Sequence, residues 1–185
     1  MKKNRIKKII VITEGEFDSK LLKEILKDNN NKLELEFLVG SGFSSALSKA
    51  KSLLARTEYP IILLIDSDTT EQSEVEEKKD FINNYLNSNR FKNLKVILAV
   101  PEIESLFFLD KKSLENLLQR EISDEVWQLW KNSPKNTLKV LSNKTDEDFI
   151  KSILNNNFKQ IVKESLLIRE LNEFIENMTH SVKIA

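Results

Sequence analysis

The chain has 185 residues, and 29 Lys plus Arg are balanced by 29 Asp plus Glu, so its formal net charge is zero. That length suffices for one well-buried core with a small appendage, and a neutral total supplies no bulk polycation to hold nucleic acid non-specifically. The absence of cysteine excludes disulfides, zinc–thiolate sites and thiol nucleophiles; with no signal peptide and no apolar run of about 18 residues, the expected setting is the cytoplasm, with no membrane partner.

Ile9-Ile10-Val11-Ile12 reads as a short buried strand that leaves through Thr13-Glu14-Gly15. From Asp18 the period turns helical, with Leu21, Leu22, Ile25 and Leu26 on one stripe, Asp18 or Ser19 as cap and Asn29-Asn30-Asn31 as terminator. Leu33, Leu35 and Phe37 alternate with Glu34 and Glu36, the pattern of a strand near one edge with one wetter face. Gly40-Ser41-Gly42 then introduces a second helix through Ala46, Leu47, Ala50, Leu53 and Leu54. Ile61-Ile62-Leu63-Leu64-Ile65, bounded by Pro60, is apolar throughout and reads as the central strand of a parallel sheet. Residues 71–86 form a third helix carrying Val75, Phe81, Ile82, Tyr85 and Leu86, and Val96 to Val100 a fourth strand. Strands alternating with helices predict an α/β fold: four mainly parallel strands flanked by helices, with right-handed crossovers. After Pro101 every signal is helical, so residues 1–110 are expected to form the core and 111–185 a helical C-terminal extension packed on it.

The chemistry gathers at the strand exits. Glu14 and Asp18 follow the first strand, Asp66 and Asp68 the third, Glu102 and Glu104 the fourth. In a parallel sheet those exits share one edge, where ligands bind. If the third strand stays extended through Asp68, Asp66 and Asp68 leave on the same face. Carboxylates so close repel unless a cation lies between them, and oxygen-only ligands favour Mg2+ or Mn2+. If a helix begins directly after Pro101, positions 102 and 104 point opposite ways; if the stretch is extended, both can reach the metal. Asp18 competes between ligand and helix cap.

Thr13-Glu14-Gly15-Glu16-Phe17-Asp18 before an amphipathic helix resembles the first motif of the Toprim domain, and Leu64-Ile65-Asp66-Ser67-Asp68 its Asp-x-Asp motif. Gly40-Ser41-Gly42 sits where Toprim domains place a glycine-containing turn. Pro101-Glu102-Ile103-Glu104-Ser105-Leu106-Phe107 is similar to a segment of small stand-alone Toprim nucleases of the OLD-like and bacterial defence groups. The resemblance spans roughly residues 8 to 110. It implies a Toprim-like Rossmannoid fold and a metal-dependent nuclease, with Glu14, Asp66 and Asp68 as catalytic residues. The implied metal ligands are those three with Glu104 and, in competition, Glu102 and Asp18. It also implies a place in phage defence. The chain departs from the family in Thr69-Thr70 after the aspartates, and the basic residue some Toprim nucleases use has only Lys111, Lys112 and Lys135 as candidates.

On this reading the substrate is DNA or RNA, two divalent ions held by the carboxylates activate water, and Lys2, Lys3, Arg5, Lys7 and Lys8 hold the flanking backbone. A solvated basic tail is the plainer reading of that lysine run. The rival from another class is a non-catalytic Toprim-like subunit of a complex with an ATPase partner protein, touching it through the helical region. A phosphoacceptor receiver domain lacks its Lys-Pro pair and fifth strand here, and a haloacid-type phosphatase would carry its Asp-x-Asp after the first strand. The glycine turn lacks the Walker lysine, against nucleotide hydrolysis. His180, alone of its kind, reads as surface, Trp127 and Trp130 as a buried helix stripe, and Phe107-Phe108 as core beneath the site.

Overall fold

The computed structural model describes residues 8–27, 33–142, 146–154 and 158–180. Four strands, β1 (Lys8–Thr13), β2 (Glu34–Val39), β3 (Ile61–Asp66) and β4 (Leu94–Ala99), form one sheet in the order β2-β1-β3-β4. Every pairing is parallel. Helices α1 (Glu16–Ile25), α2 (Phe43–Leu54) and α3 (Gln72–Leu86) make the crossovers. After β4 the chain passes through a 3-10 helix, Ile103–Phe108, into α4 (Lys111–Leu118), α5 (Asp124–Leu129), α6 (Pro134–Leu141), α7 (Asp146–Leu154), α8 (Phe158–Glu164) and α9 (Leu166–His180). The α/β class and the flanked parallel sheet are as the sequence predicts. No strand follows β4 among the described residues.

Alternation along the strands divides the core in two. Ile10, Ile12, Ile61, Leu63 and Ile65 pack with Ala46, Leu47 and Ala50 of α2 and with Ile82 and Leu86 of α3. The intervening residues Ile9, Val11, Ile62 and Leu64 point the other way. They join Leu21, Leu22 and Ile25 of α1 and a continuous apolar mass that includes Phe107, Phe149, Phe158, Ile168 and Leu171. The helices after residue 110 therefore cover one face of the sheet and share its core. By the same alternation Asp66, in register with Ile62 and Leu64, leaves β3 on that covered face. β2 is an edge strand, which accounts for its glutamates.

The turn from β2 into α2 presses on the turn that leaves β1. Gly40 N–H donates to Thr13 O at 2.6 Å, and Gly42 N–H to Glu14 O at 3.1 Å. A Cβ on Gly40 would stand 2.5 Å from Ala46 Cβ and 2.9 Å from Thr13 O, both inside the well-packed interior. Gly40→Ala is therefore expected to destabilise the fold by about 1–3 kcal/mol, the range for overpacking, measured by urea unfolding. A neutral substitution would mean that this turn does not brace the first one.

Candidate functional site

β1 ends in a turn held from within. Thr13 Oγ1 donates to Gly15 O at 3.0 Å, and Gly15 N–H donates to Asp18 Oδ2 at 2.9 Å. Asp18 thus acts as a cap for α1, and it is buried at the same time. Glu14, half-buried, swings its Oε2 across to β3 and accepts Asp66 N–H at 3.3 Å. Asp66 Oδ1 in turn accepts Ile103 N–H at 2.9 Å, tying the tip of β3 to the 3-10 helix. Burial pushes Asp66 up to about 8; the charges of Asp18 and Glu104, and more weakly Glu14, add to the rise, against the Ile103 N–H.

Glu102 is extended, at φ −138° and ψ 158°, and the 3-10 helix starts at Ile103. The two glutamates accordingly diverge. Glu104 turns inward; its side chain is only 4% exposed, and its Oε2 has no hydrogen-bond partner. Burial pushes its carboxyl up to about 7, with its own backbone N–H and Lys135 opposing and Asp18 and Glu102 reinforcing. Glu102 reaches outward instead, and its Oε2 accepts the backbone N–H of Lys135 on α6 at 2.9 Å. Glu14 is raised too, mainly by burial, against the pull of Asp66 N–H and Lys78.

Asp68 stands apart. Its φ of +61° is left-handed, so the alternation that would place it with Asp66 stops at the end of β3. Its N–H donates to Pro101 O, while its carboxylate pairs with Lys78 of α3 at 2.6 Å. Lys78 also donates to Ser67 O at 3.4 Å and lies over the Phe43 ring, 5.0 Å from its centre. Among the described residues no three acidic or histidine side chains converge as a ready cage for an ion.

Two cations thus flank the acidic row. Lys78 approaches from α3 on one side of the sheet, and Lys135 from α6 on the other, 3.9 Å from Glu104 Oε1. Burial alone lowers the Lys135 ammonium, but Glu104, Asp18, Asp66 and Glu102 outweigh it, and the net shift is upward. A cleft of about 300 Å3 opens here, lined by Gly15, Phe17, Asp18, Glu104, Lys135 and Lys139 among others. The other two lysine candidates are engaged elsewhere: Lys111 pairs with Asp124 and Lys112 with Glu115.

Lys8 lies at the amino end of β1, a six-residue strand of about 20 Å away from Glu14, and pairs with Glu34 and Glu36. Lys2, Lys3, Arg5 and Lys7 lie outside the described residues, as do Asn29-Asn30-Asn31 and the His180 side chain. Phe107 and Phe108 are buried as expected; Trp127 and Trp130 pack on Phe108, half-buried. Lys78 is the residue that sequence reasoning overlooked. Nothing in its helical surroundings, among seven charged side chains between 71 and 80, singles it out.

The fold that brings three strand exits to one edge has a counterpart among solved structures. The fold resembles the C-terminal region of an OLD protein. That chain, from Xanthomonas campestris pv. campestris, superposes with a TM-score of 0.55 over 96% of each chain at 13% identity. No family model and no curated protein matches the sequence. No helix among the described residues is long and apolar enough to cross a membrane.

Proposed function

We propose that this chain is a Toprim-type, divalent-metal-dependent nuclease that hydrolyses phosphodiester bonds in DNA or RNA. The observation that carries the reading is that Glu14, Asp18, Asp66 and Glu104, from three chain segments, lie within electrostatic reach of one another at one sheet edge without closing a cage, with burial raising three of them and Glu104 Oε2 left without a partner. Buried carboxylates this crowded favour protonation or a cation. An all-oxygen donor set fits Mg2+ or Mn2+.

Glu14, Asp66 and Glu104 would hold the ions, and Asp68 would join once it leaves Lys78. Such ions, when bound, supply an activated water and neutralise charge on the phosphate. The remaining work belongs to the chain. Asp18 fixes the start of α1, the Ile103 N–H orients the Asp66 carboxylate, and Lys135, half-exposed in the cleft, is placed to donate to a phosphate oxygen. Incubation of plasmid, single-stranded DNA and tRNA with the purified protein and Mn2+ or Mg2+ tests the reading: cleavage dependent on metal and on Asp66 supports it.

Lys78 opposes a cation here, since it lies against Asp68 and lowers Glu14. Lys78→Met is expected to raise Mn2+ affinity by about 3–10-fold, the scale of one partly exposed like charge, read by calorimetric titration. Unchanged affinity would place the ion away from Asp68.

The Asp68–Lys78 pair also favours a second reading, a non-catalytic subunit of an ATPase-containing complex, because it leaves the carboxylates short of a complete cage. The matching structure is itself the C-terminal region of an OLD protein, which agrees with either reading. Co-purification with an ATPase and no cleavage by the joined complex would favour the second.

A further inference from the structure

We infer that Glu102 is the positioning residue for Lys135, holding α6 so that the Lys135 ammonium faces the acidic row; the inference rests on the nuclease reading for its catalytic consequence but not for its geometry. Three consecutive residues, Glu102, Ile103 and Glu104, each reach a different part of the site. Ile103 N–H goes to Asp66 Oδ1 at 2.9 Å. Glu104 Oε1 faces the Lys135 ammonium at 3.9 Å. Glu102 Oε2 takes the Lys135 backbone N–H at 2.9 Å. One lysine is therefore gripped twice, at its main chain by one glutamate and at its side chain by the next.

The main-chain grip is needed because α6 has no cap of its own. Its opening N–H groups lack intrahelical acceptors, the Ser133 side chain caps none of them, and the Ser133 hydroxyl accepts from the Asn136 amide instead. Pro134 opens the helix without an N–H to satisfy, so the Lys135 N–H is the first that needs an acceptor. Glu102, 33 residues earlier in the chain, provides it and places a negative charge at the positive end of the helix. Leu138 and Leu141 anchor the other side of α6 in the core, so losing the cap would loosen the first turn, where Lys135 sits, before the rest. Glu102 thus has a task that occupies its carboxylate. It also follows that the helical region beyond residue 110 contributes a wall of the site.

Amide hydrogen exchange and kinetics on the full chain test this together. In Glu102→Ala the Lys135 N–H should exchange at least about tenfold faster, while Glu102→Gln, whose side-chain oxygen still accepts, should keep its protection. With cleavage as readout, Glu102→Ala should lower kcat about tenfold with KM within about twofold, the signature of misplacement, and Glu102→Gln should restore most of the loss. Added to Lys135→Ala, the Glu102→Ala change should cost nothing further, since its route of action is gone. An unaltered Lys135 N–H in Glu102→Ala overturns the grip. An equal loss from Glu102→Ala with and without Lys135, or a Glu102→Gln variant as inactive as Glu104→Gln, overturns the positioning role and makes Glu102 a ligand. A wild-type chain that cleaves nothing, alone or joined to an ATPase partner, sinks the nuclease reading, while the exchange measurement still decides the grip.

Discussion

Asp66→Asn is expected to reduce metal-dependent cleavage by at least about 10³-fold while leaving the fold intact. Asp66 sits at the end of the fully buried strand β3, links Glu14 to the 3-10 helix through its own N–H and carboxylate, and lies within electrostatic reach of Asp18 and Glu104. On the nuclease reading Asp66 is the central anionic ligand, and its loss would deprive the cations of charge compensation and of geometry at once. A loss of about 4 kcal/mol in transition-state stabilisation corresponds to that factor. The asparagine oxygen can still accept the Ile103 N–H, so circular dichroism and the unfolding midpoint should show a folded protein. Cleavage by the variant within tenfold of wild type would remove Asp66 from the chemistry.

The second large effect is on stability, and its sign opposes the usual behaviour of carboxylates. In the unfolded chain Asp66 and Glu104 titrate near 4, whereas in the fold burial first, and neighbouring carboxylates second, raise them to about 8 and about 7. Between those values the folded state keeps protons that the unfolded chain has released. This contribution is whole below about pH 4 and is lost progressively as pH climbs to about 8. Metal-free wild type should therefore lose up to about 5 kcal/mol between pH 5.5 and 8.5, on the order of 10–20 °C in midpoint. Asp66→Asn, which never ionises, should show a smaller fall, and Mn2+ should restore the wild type at pH 8.5 by binding the ionised form. Thermal melts across pH decide it. Parallel pH profiles for wild type and Asp66→Asn would mean that Asp66 carries no strained charge.

Local pattern made the sheet and its acidic edge legible, because both follow from short stretches. Five apolar residues before Asp66 admit little but a buried central strand, and alternating Glu34 and Glu36 mark the edge strand. Asp68 could not be placed from spacing, since one left-handed residue cancels the alternation and hands its carboxylate to Lys78. The stripe read on α3 was too generous. Ile82 and Leu86 are buried, but Phe81 is 53% and Tyr85 37% exposed, and the two rings lie stacked on each other at the surface. Phe81 is one residue from Ile82, about 100° around the helix, and a sheet contacts only one side of it.

The element that went unread is α6. Pro134 looks like the stop of the segment before it, whereas it opens an eight-residue helix whose buried Leu138 and Leu141 lie one turn apart. A helix that short has little periodicity to display. Lys135, one of three lysines the sequence offers, could not be singled out there, because it meets Glu104 only through tertiary packing.

Anomalous diffraction from crystals soaked in Mn2+ at pH 8 tests most directly whether this edge is a cation site. A cation site here gives a peak in contact with Asp66 and with Glu14 or Glu104, at about 2.0–2.3 Å from oxygen. A soak that leaves this edge empty while Mn2+ binds surface carboxylates elsewhere would contradict it.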